Sequence, residues 1–159
     1  MITMRVNDAD LRNLYRRLSP IERTIRLRAG MMESQQYLQG QIQQAMAVDS
    51  GRGRDSVLPT PITGALPGNL RGTVGSAEVH VLVMERGRTP DSRMPPIGPI
   101  QLWMTRHGIP ITPESVFLIR RAIGRRGIRG WPRWMFRNAA RRGRRVIAGI
   151  IVRHLRTTP

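Results

Sequence analysis

"VMERGRTPDSRMPPIGPIQLW", residues 83–103, is the stretch on which the architecture turns. Its first residues close an apolar run that begins at Val79, where Val79, Val81 and Val83 alternate with His80, Leu82 and Met84. Period-two spacing with both sets mostly apolar predicts a strand over Val79–Glu85, covered on both faces. Glu85-Arg86-Gly87 breaks the run, and a polar loop follows at about 87–96. Pro95-Pro96 then opens a helix over Ile97–His107, with Ile100, Trp103 and Met104 on one face and Gly108 as its stop. A second strand at Leu70–Gly75, joined to the first through Ser76-Ala77, completes a hairpin.

Upstream of the hairpin, Ile2–Val6 reads as a short strand, and Asn7 or Asp8 caps a helix carrying Leu11, Leu14, Tyr15 and Leu18. Ser19-Pro20-Ile21-Glu22 is a capping box with proline at the first helical position. It starts a long helix to about Val48, with Ile21, Ile25, Met32, Leu38, Ile42, Ala45 and Met46 as its apolar positions. Gly30 and Gly40 are soft spots in it, each costing about 1 kcal/mol relative to Ala. Residues 49–69, rich in Gly, Pro, Ser and Asp, predict a long flexible loop that a partner orders.

Downstream, Thr112-Pro113-Glu114 caps a helix through Val116, Leu118, Ile119, Ala122 and Ile123 to Arg126, closed by Gly127. A last amphipathic helix runs from about Arg133 to Leu155. Its apolar face holds Phe136, Ala139, Ala140, Gly143, Ile147, Ile150, Ile151 and Leu155, opposite Arg137, Arg141, Arg144 and Arg145. The expected fold is α+β: one domain over 1–159, its small antiparallel β-sheet packed against a long N-terminal helix and a C-terminal amphipathic helix.

Charge narrows the function classes. The net charge of +17 comes from 27 arginines and no lysine, a bias that a GC-rich genome also produces. Residues 1–80 carry ten arginines and seven acids; residues 81–159 carry seventeen and three, and beyond Ser115 there are thirteen arginines and no acid. That half of the chain faces water, an acidic partner or nucleic acid. Without Cys or Lys, thiolate, Schiff-base and P-loop chemistry are all excluded. His80, His107 and His154 fall on different elements without ligand spacing. Asp8 and Asp10 read as a cap and a first-turn acid, and Glu85 as a corner ion pair or turn rather than a general base. GRGRD, residues 51–55, is a basic loop and no phosphate cradle. A metal nuclease would need Asp49, Asp55, Glu85 and Asp91 to cluster. No catalytic, cofactor or metal site is expected, nor a signal peptide or a membrane span, the longest apolar run being Val146–Val152.

The run from Arg120 to Arg145 has two readings. Its guanidinia suit phosphates, with Trp131, Trp134 and Phe136 stacking on bases; equally, it is the solvated or partner-facing side of an amphipathic helix whose aromatics anchor the core.

The order of short motifs resembles the tail-completion or neck proteins (minor tail components, tail terminator-like) of long-tailed bacteriophages. Thr63-Gly64, Leu70-Arg71, Glu85-Arg86-Gly87-Arg88, Met94-Pro95-Pro96-Ile97 with Trp103, Ala122-Ile123 before Gly127, and Pro132, Phe136 and Ala139 within WPRWMFRNAA carry it. The chain departs from that pattern where His80 and Met84 replace a tyrosine pair, and where ALPGN separates Thr-Gly from Leu-Arg. The resemblance implies a non-enzymatic virion component, assembled in the host cytoplasm. Copies form a ring, commonly a hexamer, between the head-closure or connector proteins and the tail tube. It assigns Arg52, Arg54, Leu70, Arg71, Glu85, Arg86, Arg88 and Arg93 to subunit or ring contacts. Arg125, Arg126, Arg129, Arg137, Arg141, Arg144 and Arg145 would face the DNA channel or an acidic partner. The alternative is a basic DNA- or RNA-binding module.

Overall fold

The computed structural model describes residues 16, 18–46, 51–127 and 134–156. Among the described residues the chain is mostly helical, with one two-stranded antiparallel sheet, compatible with α+β. Its contacts gather into two compact units, one formed by Val79–Trp134 and the other by the segments on either side of it.

The discontinuous unit is built on two helices. α1 (Pro20–Ala45) starts as the sequence predicts. The Ser19 hydroxyl accepts from the Glu22 N–H at 3.3 Å, and the Glu22 carboxylate accepts from the Ser19 N–H at 2.9 Å. Those two bonds satisfy donors that a helix start otherwise leaves orphaned. α6 (Met135–Arg156) buries Met135, Ala139, Gly143, Ile147, Ile151 and Leu155, a four-residue spacing that winds slowly round the helix, together with Ile150. The two run antiparallel: the Arg26 guanidinium donates to the Leu155 carbonyl at 3.0 Å, and Gly143 lies against Tyr37 and Leu38.

Glycine is what lets the helices approach. A Cβ on Gly30 would sit 3.1 Å from Ile151 Cδ1 and 3.4 Å from the Ile151 Cα; one on Gly143 would sit 3.0 Å from the Tyr37 ring. Gly30 is therefore a packing position rather than only a soft spot, whereas Gly40 has nothing within 4 Å of a Cβ and remains a plain propensity cost.

Along α1 the buried side is Gly30, Ser34, Gln35, Leu38 and Ile42. Ile21, Ile25 and Met32, expected on the inner face, are instead 73%, 62% and 56% exposed. At 100° per residue they form their own narrow stripe, rotated away from Leu38 and Ile42, so one helix carries two apolar faces.

The region read as a long loop, 49–69, is structured from Gly51 onward, residues 49 and 50 lying outside the described residues. It holds α2 (Arg52–Asp55), β1 (Leu58–Pro59) and a 3-10 turn at Pro67–Asn69. β1 pairs with β2 (Val74–Gly75) in the register Leu58 with Gly75 and Pro59 with Val74, and a bridge at Thr63 and Arg71 extends the pairing. The two valines Val57 and Val74 anchor this arm in the core. Three glutamines one turn apart on α1 hold it there. Gln35 Nε2 donates to the Thr60 and Thr73 carbonyls, both at 2.9 Å; Gln39 donates to Val57 at 2.8 Å and Gln43 to Arg54 at 3.1 Å. Side-chain amides thus supply part of what a third strand would have supplied.

This corrects the hairpin. Leu70–Gly75 contributes only Val74–Gly75 to the sheet, and its partner is β1, not Val79–Glu85. Val79–Arg86 is a helix, α3, which buries Val81 and exposes Val79 and Leu82. Because both residue sets of VHVLVM are apolar, the alternation carried no inside–outside contrast, and a short apolar run of that kind fits a helix equally well.

The Val79–Trp134 unit continues through α4 (Ile97–Arg106) and α5 (Pro113–Arg126). Pro96 precedes α4; Trp103 and His107 stack at 4.5 Å at its end. Thr112 caps α5 by accepting from the Ser115 N–H at 3.1 Å. The loop at 87–96 is tied down from within. Arg88 donates to Ser92 Oγ at 2.8 Å and to the Arg93 carbonyl, and Arg120 donates to the Pro95 carbonyl at 2.7 Å. Gly127, with φ +65°, ends α5 where a side chain would meet the Arg88 carbonyl and, at 2.8 Å, the Pro90 nitrogen. The buried residues here are Val81, Pro95, Met104, Val116 and Gly124. Strand Ile2–Val6, the helix at about 8–18 apart from its last residues, and Trp131 and Pro132 lie outside the described residues.

Candidate functional site

The residues assigned to subunit contacts divide by what already occupies them. Arg52 pairs with Glu78 at 3.3 Å and Arg54 with its neighbour Asp55 at 3.1 Å, both on the surface. Such exposed pairs contribute at most about 1 kcal/mol and are readily exchanged for a partner's carboxylate. Leu70 is half-buried; Arg71 is exposed while its backbone pairs with Thr63 at 2.9 Å in both directions. Glu85 lies half-buried in the last turn of α3, followed by the exposed Arg86. The expected strand-end corner is a helix C-terminus, where the cationic Arg86 suits the dipole. Arg88, half-buried, holds its own loop, whereas Arg52, Arg54, Arg71, Arg86 and Arg93 are exposed.

Of the residues assigned to a channel or acidic partner, Arg125 and Arg126 are exposed in the last turn of α5. Arg137, Arg141, Arg144 and Arg145 are exposed on α6, and Arg129 lies outside the described residues. Packing of α6 through Ala139, Gly143 and Ile147 fixes which side these four arginines occupy. Elsewhere arginine is used structurally: Arg23 donates to the Leu18 carbonyl, Arg26 to Leu155, Arg28 to Gly64 and Arg120 to Pro95. Among the described residues, Arg141, Arg142, Arg144 and Arg145 make no such bond and no ion pair.

A cluster that sequence reasoning missed joins the two long helices. The Glu33 carboxylate on α1 is paired with the Arg153 guanidinium, and with His154 Nε2 at 2.7 Å, on α6. The hydrogen bond from Arg153, then that from His154, holds the Glu33 carboxyl below its usual range, and Glu33 in turn raises the Arg153 guanidinium. Glu33 and Arg153 are 120 positions apart in sequence, so no local pattern signals the pairing. Among the described residues no group of three His, Asp or Glu is placed to hold a metal ion, and no helix is long and apolar enough to cross a membrane.

The Val79–Trp134 unit presents the other notable surface. Val79 and Leu82 on α3, Leu102 and Trp103 on α4, and Phe117 and Leu118 on α5 are all exposed, the last two by 47% and 52%. Single exposed apolar residues are ordinary; here each of three successive helices leaves a pair of large ones open to solvent.

No family model matches the chain, and neither a curated protein nor a solved structure matches it.

Proposed function

We propose that the protein is a structural virion component of a long-tailed bacteriophage. Its copies form a ring, with six as the expected number, that completes the tail and joins it to the head connector. The fold this reading calls for is a small antiparallel sheet set against a long N-terminal helix and a C-terminal amphipathic helix. The observation that carries the reading is the set of large apolar side chains left exposed on α3, α4 and α5. A chain of net charge +17 repels its own copies, and burying Leu102, Trp103, Phe117 and Leu118 between protomers offsets that repulsion. The ordered motifs fall in support of it: Met94-Pro95-Pro96-Ile97 leads into α4, and Ala122-Ile123 with Gly127 closes α5. Arg86 and Arg93, exposed in the same unit, would supply the polar rim of such contacts.

Sedimentation velocity and native mass spectrometry test the reading. One closed oligomer of defined copy number is expected, and density for it at the neck in particle images. A monomer at every attainable concentration, absent from virions, overturns it. A second reading, a basic nucleic-acid-binding module, is favoured by the untied arginines of α6 and would leave the protein monomeric when free.

A further inference from the structure

We infer that the outer face of α6 is a binding site for the phosphate backbone of duplex nucleic acid, read without regard to base sequence. This binding does not require the ring. α6 carries seven arginines and no acid. Arg137, Arg141, Arg144 and Arg145 fall within an arc of about 100° and rise about 12 Å along the helix. Buried Ala139, Gly143 and Ile147 hold the opposite side against α1, so the arc cannot rotate away from solvent. Arg141, Arg144 and Arg145 are exposed and tied to nothing among the described residues, unlike Arg26, Arg28, Arg88 and Arg120, which donate to carbonyls. They are free to form bidentate bonds to phosphate oxygens.

Two features separate a phosphate backbone from an acidic protein as the occupant. Protein interfaces centre on an apolar, partly aromatic core with charges at the rim, and between Arg137 and Arg145 this arc has no large apolar residue. A duplex presents about seven phosphate charges over the same 12 Å, a density matched to closely spaced guanidinia. No aromatic side chain lies within 137–145, so the arc itself offers contact to the backbone and no base stacking. α5 makes the contrast: Arg125 and Arg126 share its surface with Glu114, Phe117 and Leu118, a mixture suited to protein.

The test is fluorescence anisotropy of the full-length chain with a labelled duplex of arbitrary sequence, titrated across salt. The triple variant Arg141→Gln, Arg144→Gln, Arg145→Gln is compared with Arg121→Gln, Arg125→Gln, Arg126→Gln, which removes equal charge from α5. Circular dichroism verifies folding of both. With about 0.9 of log–log salt slope per phosphate contact, the α6 triple is expected to lose about 2.7 of slope and at least about tenfold in affinity at low salt. The α5 triple is expected to change affinity less than about threefold, since it leaves those contacts intact. Equal losses in the two triples would assign binding to bulk charge and overturn the site. So would absence of binding at low salt, or polyglutamate competing as well as DNA at equal charge, which would point to an acidic protein instead. Sedimentation of the same variants reports assembly separately, so loss of DNA binding and loss of the ring are told apart.

Discussion

Gly30 and Gly40 lie on the same helix ten residues apart, and the structure assigns opposite outcomes to the same substitution at each. Replacing a helical glycine by alanine gains about 1 kcal/mol of intrinsic propensity. At Gly40 nothing lies within 4 Å of the new methyl, so the gain is retained. With about 2–4 °C per kcal/mol for a chain of this size, Gly40→Ala should raise the melting temperature by about 2–4 °C. At Gly30 the methyl meets Ile151 Cδ1 at 3.1 Å, and His154 Cβ and the Ile151 Cα at 3.4 Å. The Cδ1 is the end of a side chain and can swing aside; the Cα belongs to α6 and moves only if the helices part. Overpacking of this kind costs about 1–3 kcal/mol, which cancels or exceeds the propensity gain. Gly30→Ala should therefore leave the melting temperature unchanged or lower it by up to about 8 °C, from a net loss of up to about 2 kcal/mol. Paired thermal and urea melts followed by circular dichroism give the comparison. If Gly30→Ala stabilises as much as Gly40→Ala, the close contact of α1 with α6 is refuted.

Other perturbations probe the remaining joints. Gln35→Leu removes two hydrogen bonds to the Thr60 and Thr73 carbonyls, and should cost about 1–3 kcal/mol while opening residues 51–75 to limited proteolysis. Gly127→Ala places a side chain at φ +65° against the Arg88 backbone; an unfolding loss of at least about 1–2 kcal/mol in urea is expected. Glu33 has a folded pKa below its ordinary 4.5, so its contribution to stability is full above that value and is lost as pH falls through the lower folded value. The stability advantage of the wild type over Glu33→Gln should accordingly shrink below about pH 4.5 in pH-dependent urea melts; an advantage constant with pH would refute the pairing with Arg153 and His154.

What could be read beforehand was local. The Ser19–Glu22 box, the Thr112 cap, the Gly127 stop and the amphipathic 135–156 helix each depend on residues within a few positions, and each is found where the sequence places it. Pairing partners depend on distant residues and were missed. Val79–Glu85 had no polar face to report its period, and the true partner of Val74 is Pro59, in a segment whose glycines and prolines read as loop. Nothing local marks the glutamines at 35, 39 and 43 as donors to the carbonyls of 54–73. For the candidate surfaces, the arginines of α6 were legible from periodicity. That Arg88 serves its own loop, and that Ile21, Ile25 and Met32 point outward, was not.

The pairing of α1 with α6 also sets a timetable for synthesis. Every contact of Val79–Gly127 with itself is available once that stretch has left the ribosome, so this unit can fold while the chain is still growing. α1, made earlier, already holds residues 54–73, but its side at Gly30, Glu33 and Leu38 has no partner in α6 until residues 135–156 emerge. During that interval this side is open to chaperones and to wrong neighbours, and the two helices must meet across the 89 residues from Met46 to Trp134. A ribosome stalled before α6 would carry one finished unit and one waiting helix.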